Sequence, residues 1–527
     1  MQNEYLNEFT PAEAIKQVSQ YFSIIDNSVQ VGDTNRKYVP SKNAASPGGP
    51  QADNSYITFN ISPVGENLCD LYNSTIQAEL NLSLKVSSAV TASDSITGGN
   101  VPAVWIGYPD SMDAVSTYQI LANGRSIYTQ DNAHNEAFIT GCGATEAVKK
   151  VDIFSKARHA DVWKRADTAK SGYIINLGAD KSAGATISDI KIPIKIDLRR
   201  FLVLDAIRYM PAFAGNIQLK IKFSTEALQI APLSIEDIIQ NPFLLTKLAS
   251  YPKITNKFVP FEEEFTMIKR VQKTESSGAI TAITLTAGTQ QFTKASATFN
   301  NCFSYLNCFS LDPNVYQDLI NRYSQTALSF PIKRMDWTTM NGDAPTASTQ
   351  ATYTATFTPT YVNAIYVLFK RKPNYYTNYE NPLFESYQLN MGAYGNVPAD
   401  PENTYGPIFY ETCANAMNTN NDLCGFNVDV MRSLTATALE STGYKSNDTT
   451  HFFMGFPTET DFTFQQGQTS NSPITYKLSV KGSTATTGFN EKPEIGFLRH
   501  VCFSIMVKPN GPPVVVIDDY DLSQPDA

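Results

Sequence analysis

Histidine is the scarcest of the reactive side chains in this 527-residue sequence, present only at His134, His159, His451 and His500. None stands at metal-ligand spacing from another histidine or from a cysteine, so neither a zinc centre nor a histidine-activated nucleophile finds its parts in one motif. No G-x-S-x-G, phosphate-binding loop or G-x-G-x-x-G occurs. Glu262-Glu263-Glu264 and Asp518-Asp519 are acidic clusters. A carboxylate pair can hydrolyse a glycosidic bond, but acids in runs are ordinary on any surface. Tyr375, Tyr376, Tyr379, Phe384, Tyr387 and Tyr394 form an aromatic group that stacks sugars in one reading and fills a core or an interface in the other. Phe452 to Phe456 reads as a buried strand sooner than as a lipid patch, and His500, ahead of an apolar run, as structural. No catalytic, cofactor-binding or metal-binding residue is assigned, and the chain is expected not to be an enzyme.

The seven cysteines (Cys69, Cys142, Cys302, Cys308, Cys413, Cys424 and Cys502) are odd in number, widely spaced and without a C-x-x-C. Buried thiols made in a reducing compartment fit this better than a disulfide framework or a zinc site. Met1 to Phe9 is polar and acidic, unlike a signal peptide, and no apolar run nears the roughly 20 residues of a membrane span. Net charge is −9, and the basic clusters, Lys333-Arg334 and Lys370-Arg371-Lys372, are short. A phosphate backbone calls for a basic face, so sequence-specific nucleic-acid binding is not expected. Charged residues are only 17% of the chain, which suits large surfaces that meet other protein surfaces.

The elements that must position these residues are mostly strands. One helix opens the chain: Thr10 can cap it, Pro11 suits its first turn, and Ile15, Val18, Phe22 and Ile25 recur at helical spacing. This stripe either docks on its own domain or reaches a neighbouring subunit or an internal membrane. Lys42 to Asn54 is rich in Pro, Gly, Ser and Asn and reads as a flexible arm. From Tyr56 onward apolar and polar residues alternate: Ile76 to Val86, Ile192 to Ile196 and, most cleanly, Ile217 to Phe223. Asn123-Gly124 marks a tight hairpin, and Asp312-Pro313 starts a helix running to about Tyr323.

The halves echo one another. Thr117-Tyr118-Gln119-Ile120, with Gly124 after it, matches Ser386-Tyr387-Gln388-Leu389, with Gly392 after it. Each follows an aromatic-bearing strand, Val104 to Ile106 or Ile365 to Phe369, and each half closes on a long strand, Ile217 to Phe223 or Val501 to Val507. The expected fold is all-β: two tandem eight-stranded jelly-roll sandwiches, with short helical insertions and an N-terminal amphipathic helix. The expected divisions are 1–54 helix and flexible arm, 55–240 first jelly roll, 241–258 linker, 259–517 second jelly roll, and 518–527 C-terminal tail.

Three stretches, Tyr56 to Val86, Ser116 to Tyr128 and Ile192 to Ala227, together with Ala364 to Asn396 in the second half, resemble the double jelly-roll major capsid proteins of virophages, polinton-like viruses and adintoviruses. The resemblance spans most of the chain as an ordered pattern, without a diagnostic string. It implies a subunit that associates as a homotrimer into pseudo-hexameric capsomers of an icosahedral DNA-virus shell, made inside the host cell and located in the virion. The implied partners are neighbouring capsomers, penton or minor capsid proteins, and an internal membrane where one exists. Under it, Ile15, Val18, Phe22 and Ile25 become inter-capsomer or membrane contacts. Loops 87–100, 171–190, 341–360 and 482–492 are candidates to face outward. A surface or secreted β-sandwich adhesin or carbohydrate-binding protein is the alternative.

Overall fold

Alternation along the strands decides which residues leave water. In Ile217–Phe223 the four apolar residues are fully buried, while Gln218, Lys220 and Lys222 keep partial exposure. Ile190, Ile192, Ile194 and Ile196 alternate in the same way, as do Tyr476, Leu478 and Val480. A period of two puts each set on one face of a sheet, so each sheet needs a partner layer. The computed structural model describes residues 11–32, 41–63, 67–90, 103–142 except 109, 172–232 except 178–180, 243, 246–248, 259–418 except 374, 377–378 and 380, 452–458, and 468–519 except 484–485, 487–488, 490 and 509–510.

Sixteen strands build two sandwiches. The first contains β1 (Ser41–Ala44, resumed at Gln51–Ala52), β2 (Tyr56–Asn60), β3 (Leu68–Val86), β4 (Val115–Ala122), β5 (Arg125–Gln130), β6 (Thr186–Asp197), β7 (Ile217–Phe223) and β8 (Phe292–Phe309). The second contains β9 (Leu328–Thr339), β10 (Gln350–Phe357), β11 (Val362–Leu368), β12 (Ser386–Asn390), β13 (Asn396–Glu402), β14 (Met454–Pro457), β15 (Ile474–Lys481) and β16 (Glu494–Met506). The first pairs as β1-β8-β3-β6 facing β2-β7-β4-β5. The second pairs as β9-β16-β11-β14 facing β10-β15-β12-β13. Adding eight to each label of the first gives the second. Each is the antiparallel order of an eight-stranded jelly roll, in which the last strand returns beside the first. The chain is therefore an all-β tandem of two copies.

Among the described residues the strands are accompanied by helices α1 (Pro11–Gly32), α2 (Ala133–Cys142), α3 (Pro313–Tyr323) and α4 (Pro407–Asn418). Helix α3 begins as expected, with the Asp312 side chain accepting from the Asn314 amide at 2.9 Å and proline in the first turn. The Asn123-Gly124 hairpin also forms, both residues having the positive φ that a tight two-residue turn requires.

The echoed Tyr118 and Tyr387 do occupy equivalent strands, β4 and β12. The other echoes pair differently. Ala103–Gly107, which contains Trp105, belongs to a side sheet with Gly172–Asn176, Gln229–Pro232 and Val259–Pro260, whereas Ile365 to Leu368 lie in β11. The counterpart of β7 is β15; the run from Val501 lies in β16, whose counterpart is β8.

The expected divisions change at several points, the tail among them, since Asp518 and Asp519 end a strand, Val514–Asp519, that pairs with β16. The stretch 42–54, read as a flexible arm, supplies the two segments of the edge strand β1: Ser41–Ala44 pairs with Phe303–Leu306, and Gln51–Ala52 with Thr298–Phe299. The prolines and glycines that made this stretch look unstructured, at 47–50, fall in the break between the two segments. The linker at 241–258 does not part the sandwiches either. The chain leaves the first one after β7, forms a separate hairpin from Phe265–Ser276 and Ala279–Gln290, and re-enters as β8 along almost the whole of β3. The first sandwich is complete only at Phe309.

Helix α1 docks on its own chain. Val18, Tyr21 and Ile25 are buried, with the Tyr21 ring 5.9 Å from those of both Tyr323 and Phe330 and its hydroxyl donating to the Tyr209 carbonyl. Replacing Tyr21 by Ala is expected to destabilise the isolated subunit by about 3 kcal/mol, the usual scale for removing a buried ring. Ser19→Ala, on the exposed side of α1, should leave the urea midpoint unchanged. A midpoint indifferent to Tyr21→Ala would show that the helix is not docked there in solution.

Candidate functional site: the junction of the two sandwiches

The functional geometry lies where the two sandwiches meet, because neither closes its core alone. Helix α2 leaves the first sandwich after β5, yet its Phe138, Ile139 and Cys142 belong to the second core, with Phe138 4.5 Å from the Tyr379 ring. In the reverse direction, β9 and β16 extend beyond the sheet that faces them. Phe497 is covered within its own sandwich, stacked on Phe357 at 4.1 Å and beside Tyr476. Phe503, six residues on and so on the same face, pairs with Phe330 and joins Leu328, Ile332, Val501 and Ile505 in the core of the first half and α1.

A buried polar group pins this contact. The Glu136 carboxylate on α2 accepts from the Tyr118 hydroxyl at 2.8 Å, Gln130 Nε2 at 2.7 Å and the Leu202 amide at 3.3 Å. Gln130 Nε2 also donates to the Met335 carbonyl on β9 at 2.7 Å, crossing from one sandwich to the other. Burial raises the Glu136 carboxyl to about 7; the three donors oppose that rise, and the charge of Asp336 adds to it. Beside it, Asn135 donates to Glu494 at 2.5 Å and accepts from the Tyr379 hydroxyl. Glu494 holds Lys370 at 3.1 Å. On β9, Asp336 is held by Arg334 and by Arg499, whose Nη1 lies 2.8 Å away. A buried pair with every partner placed favours one arrangement of its elements over nearby alternatives.

Among the expected contact residues, Val18 and Ile25 are covered by their own chain, and Phe22 is half-buried beside Tyr209. The Ile15 side chain lies outside the described residues. Of the histidines, His134 is buried on α2 and His500 lies on β16, its imidazole lowered to about 4 by burial and the nearby Lys333 charge; His159 and His451 lie outside the described residues. No group of three metal-ligating side chains occurs among the described residues. Tyr379, Phe384 and Tyr387 are buried in the second core, Tyr375 and Tyr376 are half-buried and Tyr394 is exposed, so the group is divided between core and surface. Phe452 and Phe453 are likewise buried beside β14. The short basic clusters meet partners: Lys372 binds Glu263 at 2.7 Å, and the Arg371 guanidinium lies over the Phe489 ring. No described helix is long and apolar enough to cross a membrane. Of the loops named as outward candidates, 91–100, 178–180, 484–485, 487–488 and 490, with residue 171, lie outside the described residues.

The junction itself was not visible beforehand. Nine of the ten residues of α2 are buried, so it has no polar face and no amphipathic stripe to find.

Glu136 gives the junction a pH dependence of definite sign. A carboxyl raised in the folded state binds its proton more tightly there than in the unfolded chain. Its contribution is complete below about 4.5 and is lost as pH rises through about 7. Glu136→Gln is expected to flatten the fall in melting temperature between pH 5 and 7.5, a change on the order of 3 kcal/mol in the parent. Identical slopes in parent and variant would refute this.

No protein-family model matches the sequence, and no curated protein does. Solved structures are similar in fold. The major capsid protein of mavirus aligns with a TM-score of 0.47 and 9% identity, covering 94% of this chain and 94% of that one. The Sputnik virophage structure aligns at 0.46 and 10%, covering 93% and 92%. The Faustovirus major capsid protein aligns at 0.43 and 10%, covering 96% and 99%. With scores below 0.5, the fold is assigned from the strand order itself.

Proposed function

We propose that this chain is a major capsid protein, a structural subunit without catalytic activity that assembles as trimers into the shell of an icosahedral DNA virus. One observation carries the reading: the same eight-stranded sandwich occurs twice in tandem, locked by reciprocal burial into one body. Three such bodies about a threefold axis present six equivalent sandwiches, so a trimer acquires a nearly hexagonal outline and can tile a flat facet. A hinged pair could not, since the six positions would lose their spacing. The solved structures of similar fold include the major capsid proteins of mavirus and Faustovirus, in keeping with the same reading. The acidic net charge and the paired basic clusters support a shell that leaves genome binding to other components. Penton or minor capsid proteins would fill the positions where six-fold tiles cannot close a shell.

Light scattering after size exclusion, with negative-stain imaging of the same peak, tests the reading. Three subunits of 58.1 kDa weigh about 174 kDa, and six-lobed particles of that mass or closed shells are the expected result. A stable monomer that binds glycans would overturn it in favour of the adhesin.

A further inference from the structure

Cys69 and Cys308 are far apart in sequence but lie directly opposite one another, on β3 and β8. Both are thiols, and they are hydrogen-bonded to each other. Directly opposed residues of antiparallel strands have Cα atoms about 4.5 or 5.5 Å apart. A disulfide spans roughly 4.4–6.8 Å between Cα atoms, so the backbone need not move to admit one.

The location is equally specific. Between β3 and β8 the ladder breaks after Asp70 and resumes at Thr75, leaving only Leu68, Cys69 and Asp70 paired with Phe309, Cys308 and Asn307. Side chains bridge the break: Asp70 accepts from the Tyr72 amide and from Asn73 Nδ2, and Ser74 Oγ accepts from the Asn307 amide at 3.0 Å. This three-pair ladder is the last strand pairing of the first sandwich before the chain passes to α3 and the second. Cys69 is fully buried there, and Cys308 is half-exposed.

We propose that Cys69 and Cys308 form a latent redox site: a disulfide closed by thiol–disulfide exchange with a low-molecular-weight disulfide, stapling β3 to β8 at the exit of the first sandwich. The accessible Cys308 thiolate attacks the small disulfide, forming a mixed disulfide and releasing one small thiolate. Cys69, once deprotonated, then attacks the Cys308 sulfur, forming the intramolecular bond and releasing the second small thiolate. Each thiolate takes up one of the two protons given by the cysteines. Two cysteine thiols are oxidised and one small disulfide is reduced to two thiols. The hydrogen bond to Cys308, together with burial, holds the Cys69 thiol above the usual range, so closure accelerates with rising pH. The bond closes a loop of roughly 240 residues, and a long loop restricts the unfolded chain strongly. Cys302, on the same strand but opposite no cysteine, supplies the internal control.

Full-length protein, fully reduced and then exposed to oxidised glutathione at pH 8, should be blocked with N-ethylmaleimide and mapped by non-reducing peptide mass spectrometry. The expected product is a cross-linked peptide joining Cys69 to Cys308, with Cys302 carrying glutathione alone or none. It should migrate faster on a non-reducing gel, revert with dithiothreitol, and melt several degrees higher. Cys69→Ser should trap glutathione on Cys308, and Cys308→Ser should leave Cys69 reduced. In the parent protein, glutathione retained on Cys308 beside an alkylated Cys69, or alkylation of both, would overturn the proposal whether or not the variants fold. Neither of those results bears on the assembly state, so the coat reading stands or falls separately.

Discussion

Each sandwich lacks part of its own lining and borrows it from the other, and this constraint organises the molecule. Without α2, the second core loses Phe138 and Ile139; without the overhanging ends of β9 and β16, the first loses Phe330 and Phe503. Interiors pack at crystal-like density, so gaps of that size are not tolerated, and the two halves hold one relative position. The polar set around Glu136 narrows the choice further. A carboxylate without water must have its donors in place, and one of those donors, Gln130, also reaches the other sandwich. Apolar burial supplies the attraction, and the hydrogen bonds select the geometry.

Duplication explains why such a junction is asymmetric. The two sandwiches share strand order down to the tyrosines of β4 and β12, whose rings lie 5.0 Å from Phe201 and 5.4 Å from Phe409. Both also carry a helix after the fifth strand, α2 and α4. The two helices differ in destination: α2 crosses into the neighbouring core, while α4 stays in its own, packing Phe409 and Cys413 near β14. Equivalent elements have thus been turned to different tasks, one inside a unit and one between units.

What the sequence made legible was local. The alternation in β6 and β7, the turn at Asn123-Gly124 and the cap at Asp312 each state their structure within a few residues, and the repeated Tyr-Gln placed two strands in register between the halves. What stayed hidden depends on partners distant along the chain. Nothing in the sequence of β8 says that it pairs with β3 across an intervening hairpin of similar alternation, so the domain boundary was drawn too early. The edge strand β1 read as a loop because Pro47-Gly48-Gly49-Pro50 interrupts it between Ala44 and Gln51. Helix α2 has no stripe because both of its sides are covered, and Glu136 looks like any other acid until its neighbours are known.

The docking of α1 also imposes an order in time. Its Tyr21 meets Phe330, which is set in place by Phe503, close to the end of the chain. A ribosome therefore releases the first helix before the whole of its seat exists: the Tyr209 side of it comes with the first half of the chain, the Phe330 side with the second. The seat is whole once Phe503 on β16 has paired beside Phe330. Helix α1 and β16, far apart in sequence, are thus clasped at one seat, and a chain without β16 would leave Tyr21 only part of its cover.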